Sequence, residues 1–277
     1  MSIFPSSLTN AIARQYDLFQ QSLESMARDR AFLNYGLADF SAPHDSLEHR
    51  QQRLCEETFR AAEIEPHHVV VDVGFGSGEQ DFRLAASTPF RQLIGFNISQ
   101  RQVHGAAARA AREGLEHRLL FRHGEAEVLP GVEPGTVDRL VAIECAFYFD
   151  RPRFYARAAE VLRADGLLVL ADIQLHDRLA FLTRREDLRR VGTWSSNERH
   201  WEPHVRLRSR RNINRETRPG VQMCVGEILR TQLRERLTPS ERLEWMKMAF
   251  YSQLVALGLW SGLVSYDLLV FETRSGR

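Results

Sequence analysis

Val71-Asp72-Val73-Gly74-Phe75-Gly76-Ser77-Gly78 is the stretch that decides the fold. It overlaps a β-branched apolar run, VVVDVGFG (69–76), of the kind that forms a strand buried on both faces. A helix-like stretch follows to about Ser87. Strand, tight glycine turn and helix start together make a ligand loop. The glycines let a ligand approach the backbone, and the helix N-terminus offers free amides. The spacing is GxGxG, whereas the dinucleotide fingerprint reads GxGxxG, and Glu79 stands where that third glycine would fall. A carboxylate at that point also disfavours a pyrophosphate. No GxxxxGK phosphate loop is present either.

Working outward, strands and helices alternate with short connections. LIGFNIS (93–99) is a second strand, and the Ala- and Arg-rich stretch from Arg101 to Glu113 is a helix closed by Gly114. LLFRHGEA (119–126) is a third strand, and Val137 to Glu144, after the turn Glu133-Pro134-Gly135, is a fourth. Arg153 to Leu162 is a helix stopped by Ala164-Asp165-Gly166, and LLVLADI (167–173) is a fifth strand. This alternation predicts an open parallel α/β sheet. Upstream, Ile12, Tyr16, Phe19, Leu23 and Met26 recur at helical spacing, residues 32–43 read as a loop, and Asp45 or Ser46 caps a helix reaching Ala62. Downstream, residues 174–250 break the alternation and read as an inserted cap, within which VRLRSRRNI (205–213) alternates like a strand. GLVSYDLLVFETR (262–274) contains a last strand. The expected division is 1–63, a helical cap with an access loop; 64–175, a Rossmann-like core; 176–250, a substrate cap; and 251–277, a final helix and strand.

Composition narrows the function. The chain has 277 residues, 43% hydrophobic and 26% charged, with a formal net charge of +1. A balance this near zero argues against holding nucleic acid by bulk electrostatics. No apolar run reaches the roughly 18 residues needed to span a bilayer, and the N-terminus does not read as a signal peptide. Cys55, Cys145 and Cys224 form neither a CxxC nor a metal pattern, which fits a reducing cytoplasm and predicts no metal. Lys247 is the only lysine, so nearly all positive charge is guanidinium.

Several segments resemble one family in order. DVGFGSG (72–78) resembles motif I of the class I S-adenosylmethionine-dependent methyltransferases. LIGFNISQRQV (93–103) resembles a segment of the group holding sterol and tocopherol C-methyltransferases, cyclopropane fatty acid synthases and natural-product methyltransferases. HGEAEVLP (123–130), AIECAFYF (142–149), EVLRADGLLVLADI (160–173) and the loop LNYGLAD (33–39) resemble further segments of that group. The resemblance covers about residues 30–175. It implies a Rossmann-like sheet, S-adenosyl-L-methionine as cofactor, and a small-molecule methyl acceptor.

It also implies roles. Asp72 would face the cofactor's ammonium, while Gly74, Gly76 and Gly78 would carry the backbone past it. Asn97, with Ile98 beside it, and Gln102 would meet the ribose or adenine, and Glu125 and Ala126 would flank the adenine. Tyr16 and Tyr35 would close over the sulfonium, since an aromatic face attracts a cation. Related O-methyltransferases carry a histidine pair after the fourth strand, where this chain has Phe147 and Tyr148. Glu144 stands where C-methyltransferases keep a glutamate, a candidate base as well as a cofactor contact. Asp172 lies at the C-terminal edge of the fifth strand and His176 just beyond it; with Tyr148 they complete the catalytic candidates.

Trp194, Trp201, Met223, Trp245, Met246, Met248, Phe250 and Tyr251 are candidates for an apolar substrate pocket. The arginines between Arg199 and Arg218 are a candidate site for an anionic group on the substrate. A homo-oligomer stays open, as does the choice between C- and O-methylation. A methyltransferase-fold protein that binds the cofactor but catalyses a non-methylating step or has a regulatory role is the alternative.

Overall fold

The computed structural model describes residues 32–42, 44–234 and 238–274. Seven strands form one sheet in the order β3-β2-β1-β4-β5-β7-β6. They are β1 (Val69–Val73), β2 (Gln92–Asn97), β3 (Leu119–His123), β4 (Val137–Ile143), β5 (Leu162–Leu175), β6 (Val205–Asn212) and β7 (Val264–Thr273). The first five run parallel, and β7 is antiparallel to both β5 and β6. This is the open, Rossmann-like α/β sheet that the resemblance implied.

The helices are α1 (Leu47–Ala61), α2 (Glu79–Ser87), α3 (Gln100–Arg112), α4 (Arg151–Val161), α5 (Trp194–Trp201), α6 (Asn214–Arg234) and α7 (Pro239–Ser261). Local chemistry sets their starts. Ser46 and Ser99 accept the amides of His49 and Gln102, and Asp150 accepts that of Arg153 with Pro152 in the first turn. Val70, Val71 and Val73 have no exposed surface, because helices cover both faces of the sheet. Burial of each contributes on the order of 1.5–3 kcal/mol.

Strand bounds differ from the sequence expectation. β3 ends at His123 rather than at residue 126, and β5 starts at Leu162, not Leu167, because Leu162 pairs with Val137 ahead of an irregularity in the ladder. The alternating stretch within 176–250 is strand β6 and lies at the sheet edge. The strand order reverses at β1, and the crevice of an open α/β sheet lies beyond the carboxyl ends of the strands flanking such a switch. Those ends are the glycine loop after β1 and Glu144 to Tyr148 after β4.

Candidate active site

The glycine loop is built by exclusion. Gly74, Gly76 and Gly78 all have positive φ, at 76°, 60° and 79°. A Cβ on Gly74 would lie 2.8 Å from Cys145 Sγ, and one on Gly76 2.9 Å from Leu33 Cδ1. These two glycines let the loop sit against β4 and the access segment, and both line a cleft. Gly78 does not line it; its Cβ would face Ala106 at 3.3 Å, so the third glycine serves the packing of α2 on α3.

The cleft encloses about 1110 Å³ including its open mouth. It collects Leu33 and Asn34 from the access segment, Asn97, Ile98 and Gln102 from the β2 end, and Gly124 to Glu127 beyond β3. Glu144, Cys145, Tyr148, Phe149, Arg153 and Arg190 complete the far wall. Asn97 is fixed by its neighbours: Nδ2 donates to Gln102 Oε1 at 2.8 Å, and Oδ1 accepts the Ser99 amide at 3.0 Å. Among the sequence candidates, Gly74, Gly76, Asn97, Ile98, Gln102, Glu125, Ala126, Glu144 and Tyr148 therefore meet in one place.

Glu144 is the most constrained of them. It has φ 55°, a conformation a non-glycine residue rarely holds. Its amide donates to Ala171 O at 2.8 Å. Its Oε2 accepts the Tyr35 amide at 2.8 Å and the Tyr266 hydroxyl at 2.9 Å. Burial pushes its pKa up to about 8 against the pull of those two hydrogen bonds, and the charge of Asp172 adds to the rise. Tyr35 thus meets the site through its backbone. Its ring does not line the cleft, and its hydroxyl lies 3.3 Å from Ser252 Oγ.

Other candidates lie elsewhere. Asp72 is fully buried and does not line the cleft; Gln80 does, and donates to Asp72 Oδ2 at 2.9 Å. Asp81 is buried as well, and burial raises both carboxyls, Asp81 further through the charge of Asp72. Asp172 is buried against Arg151, with 2.6 Å between Oδ2 and Nη1. Arg151 in turn donates to the carbonyls of Arg190 and Val191 at 2.8 and 3.2 Å, so Asp172 anchors the turn that brings Arg190 to the cleft. His176 is exposed and caps a 3-10 helix, its Nδ1 accepting the Arg178 amide at 3.1 Å. Tyr16 lies outside the described residues.

The basic segment is the clearest correction. Arg206 pairs with Glu272, Arg208 with Glu63, Arg210 with Asp267, and Arg211 with Glu57 and Glu216. None of these arginines lines the cleft. The apolar candidates also scatter. Trp201 and Trp245 are core residues, Trp194 lies under Arg210, Met223 is partly buried away from the cleft, and Met246, Phe250 and Tyr251 are exposed. The side chain of Met248 lies outside those described.

Sequence reasoning missed Gln80, Cys145, Arg153 and Arg190 as lining residues. Arg190 could not be found from spacing, since its place depends on a turn held from β5. Gln80, two positions after Gly78, was within reach of a helical-wheel argument.

Known proteins similar to this chain over part of their length are methyltransferases. Residues 70–166 match a family described as a methyltransferase domain. Erythromycin 3''-O-methyltransferase of Saccharopolyspora erythraea is 34% identical over 160 residues, 57% of this chain and 51% of that protein. The 27-O-demethylrifamycin SV methyltransferase of Amycolatopsis mediterranei is 29% identical over 167 residues, 60% of this chain and 59% of that protein. The chain thus spans about half to three-fifths of the length of these relatives. Among solved structures, the cyclase SpnF superposes with a TM-score of 0.81 at 21% identity, covering 100% of this chain and 99% of that one. At that identity the likeness establishes the fold alone.

Proposed function

We propose that this chain, a member of the class I S-adenosylmethionine-dependent methyltransferases, transfers a methyl group to a small, largely apolar metabolite of the natural-product kind. One observation carries the reading. The glycine cradle, the Asn97–Gln102 amide pair, the Glu125–Ala126 segment and Glu144, far apart in sequence, line a single cleft at the switch point of the sheet.

The residues fit S-adenosyl-L-methionine. Gly74 and Gly76 leave a cradle that a Cβ would fill, Asn97 and Gln102 offer donors and acceptors suited to ribose hydroxyls, and Ile98 and Ala126 offer apolar contact to a purine. When bound, the cofactor supplies a methyl group already activated on a sulfonium. The chain's own contribution is to align the acceptor and exclude water. Asp72 supports that role from behind the loop, acting through Gln80.

Glu144 is the group suited to move a proton. No protein donor reaches its Oε1 among the described residues, and the side chain borders the cleft. Burial favours its protonated form, and positive charge in the cleft favours the carboxylate, which can then accept a proton from the acceptor. Tyr148 borders the same space, while Asp172 acts through Arg151 and His176 has no reach into it. An anionic group on the acceptor would meet Arg153 and Arg190, the two guanidinium side chains on the cleft wall, rather than the β6 arginines. Among the described residues no helix is long and apolar enough to cross a membrane, and the reduced cysteines support a cytoplasmic setting.

Titration calorimetry with S-adenosylhomocysteine tests the reading. We expect micromolar binding, and mass spectrometry with cleft-sized apolar acceptors should show a product heavier by one methyl group. No binding at millimolar ligand would remove the proposal.

A further inference from the structure

Glu144 is held by elements far from its own. Its backbone is fixed from β5, through the Ala171 carbonyl, and its carboxyl from β7 and the access segment. The β7 contact comes from Tyr266, which has no exposed surface. The backbone of Tyr266 is clamped on both sides: its amide donates to Asn214 Oδ1 at 2.6 Å, and its carbonyl accepts the Ile213 amide at 2.8 Å. Its hydroxyl donates to Glu144 Oε2 at 2.9 Å and reaches no other acceptor among the described residues. The Tyr35 amide donates to the same oxygen at 2.8 Å. A carboxyl oxygen offers two lone pairs, so those of Oε2 are both taken. Oε1 accepts from no described residue and is not sealed from solvent. The residues matched to the methyltransferase family, 70–166, include Glu144 and stop well before Tyr266.

We propose that Tyr266 is the positioning residue of Glu144: by filling Oε2 together with the Tyr35 amide, it confines the carboxyl's proton to Oε1, the oxygen open to the cleft. Neutral Glu144 donates into the cleft from Oε1, and ionised Glu144 accepts there, always at the same atom. Tyr266 does not line the cleft, so it acts only through Glu144. Its hydrogen bond favours the carboxylate, against the effect of burial. The other titratable groups facing Glu144 are Asp172 of β5, ion-paired with Arg151, Tyr35 of the access segment, Cys55 of α1, Cys145 beside Glu144 and Cys224 of α6. Burial pushes both tyrosine hydroxyls and all three thiols up, away from neutral pH. The proposal rests on the cleft being the cofactor site.

Calorimetry with S-adenosyl-L-methionine and S-adenosylhomocysteine from pH 6 to pH 9 tests it without an acceptor, because only the first carries a sulfonium. The ratio of the two affinities should rise a few-fold as Glu144 ionises, and Glu144→Gln should remove that rise. In Tyr266→Phe the midpoint of the rise should move up by about one pH unit, the scale of one hydrogen bond to a carboxylate. Replacing Tyr266 by 3-fluorotyrosine, a stronger donor of the same shape, should move it down. A merely structural role would move it in neither case, and retained S-adenosylhomocysteine affinity marks an intact fold. If both ligands bind and the midpoint stays in place in both variants, or the parent chain shows no rise that Glu144→Gln removes, the proposal is overturned while the cofactor site stands. If neither ligand binds the parent chain, the cofactor site itself falls, and the proposal with it.

Discussion

The acidic groups around the cleft and the basic groups on strand β6 are held in opposite ways. Around the cleft, Asp72, Asp81 and Glu144 are buried with no cation paired to any of them among the described residues, and burial raises all three pKa values. On β6, Arg206, Arg208, Arg210 and Arg211 each find a carboxylate. A net charge near zero hides this split. Charge already matched inside the protein has spent its interaction on the fold, whereas charge held without a partner is available to a cationic ligand or to proton movement.

The comparison breaks first at the glycine cradle. Gly76→Val adds backbone strain at positive φ and a clash with Leu33, together a few kcal/mol. S-adenosylhomocysteine affinity should fall at least 100-fold by calorimetry; a loss below fivefold would mean that the loop is not the cradle. Next is Glu144→Gln, which keeps the shape and the acceptor for Tyr35 but removes the titrating group. Turnover should fall about 100-fold, within the usual range for a general base, with cofactor affinity within a few-fold. Its folded pKa, about 8, lies above the ordinary 4.5. The stability Glu144 contributes is therefore complete below pH 4.5 and is lost as pH rises through 8. Thermal denaturation should show a smaller loss of Tm from pH 5 to pH 8 in the variant than in the parent chain.

The sheet was legible because buried strands announce themselves: VVVDV (69–73) and DRLVAI (138–143) have few other uses in a soluble chain. The cofactor side was legible because glycines and the Asn97–Gln102 pair act within or next to their own segments. Asp72 was placed in the cleft by resemblance and proved to sit behind it, since its partners Gln80 and Asp81 lie on the next helix. Arg206 to Arg211 misled because alternation along a strand shows which residues share a face, not which carboxylates the neighbouring strand sets opposite them. Arg190 was out of reach of any local pattern, because its place depends on Arg151 and Asp172, 39 and 18 residues away in sequence.

Two intermediate effects sharpen the contrast between regions. Arg210 grips Asp267, which has no exposed surface, through Nε and Nη2 at 3.0 Å each. Arg210→Ala leaves that carboxylate with Gln174 and Asn212 only, and should cost about 3 kcal/mol in urea denaturation while turnover per folded molecule is unchanged. Asp81→Asn acts in the other direction. The amide takes away the second ionisable group that burial holds near Asp72. Because the folded pKa of Asp81 is raised, its contribution is lost on going to high pH, so the variant should gain a few degrees in Tm at pH 8 and none at pH 4. Equal shifts at both pH values would mean that burial and the charge of Asp72 do not raise the Asp81 carboxyl.

The smallest effect belongs to Arg208, which meets Glu63 in a two-point pair at 2.8 and 3.1 Å that looks as well made as the pair of Arg210. What differs is water. Both partners are about half exposed, so the carboxylate left behind by Arg208→Ala is solvated at once, whereas Asp267 is not. The loss should stay below about 1 kcal/mol and fade between 0.05 and 1 M salt, as expected where solvent screens the pair. Measured beside Arg210→Ala, this variant compares a buried pair with a solvated one on a shared strand with equal bond number, the stacking of Arg210 on Trp194 adding to the larger loss. If the two cost the same, the penalty lies in the strand backbone or in lost side-chain packing, and the charge matching along β6 would have no part in holding the sheet edge.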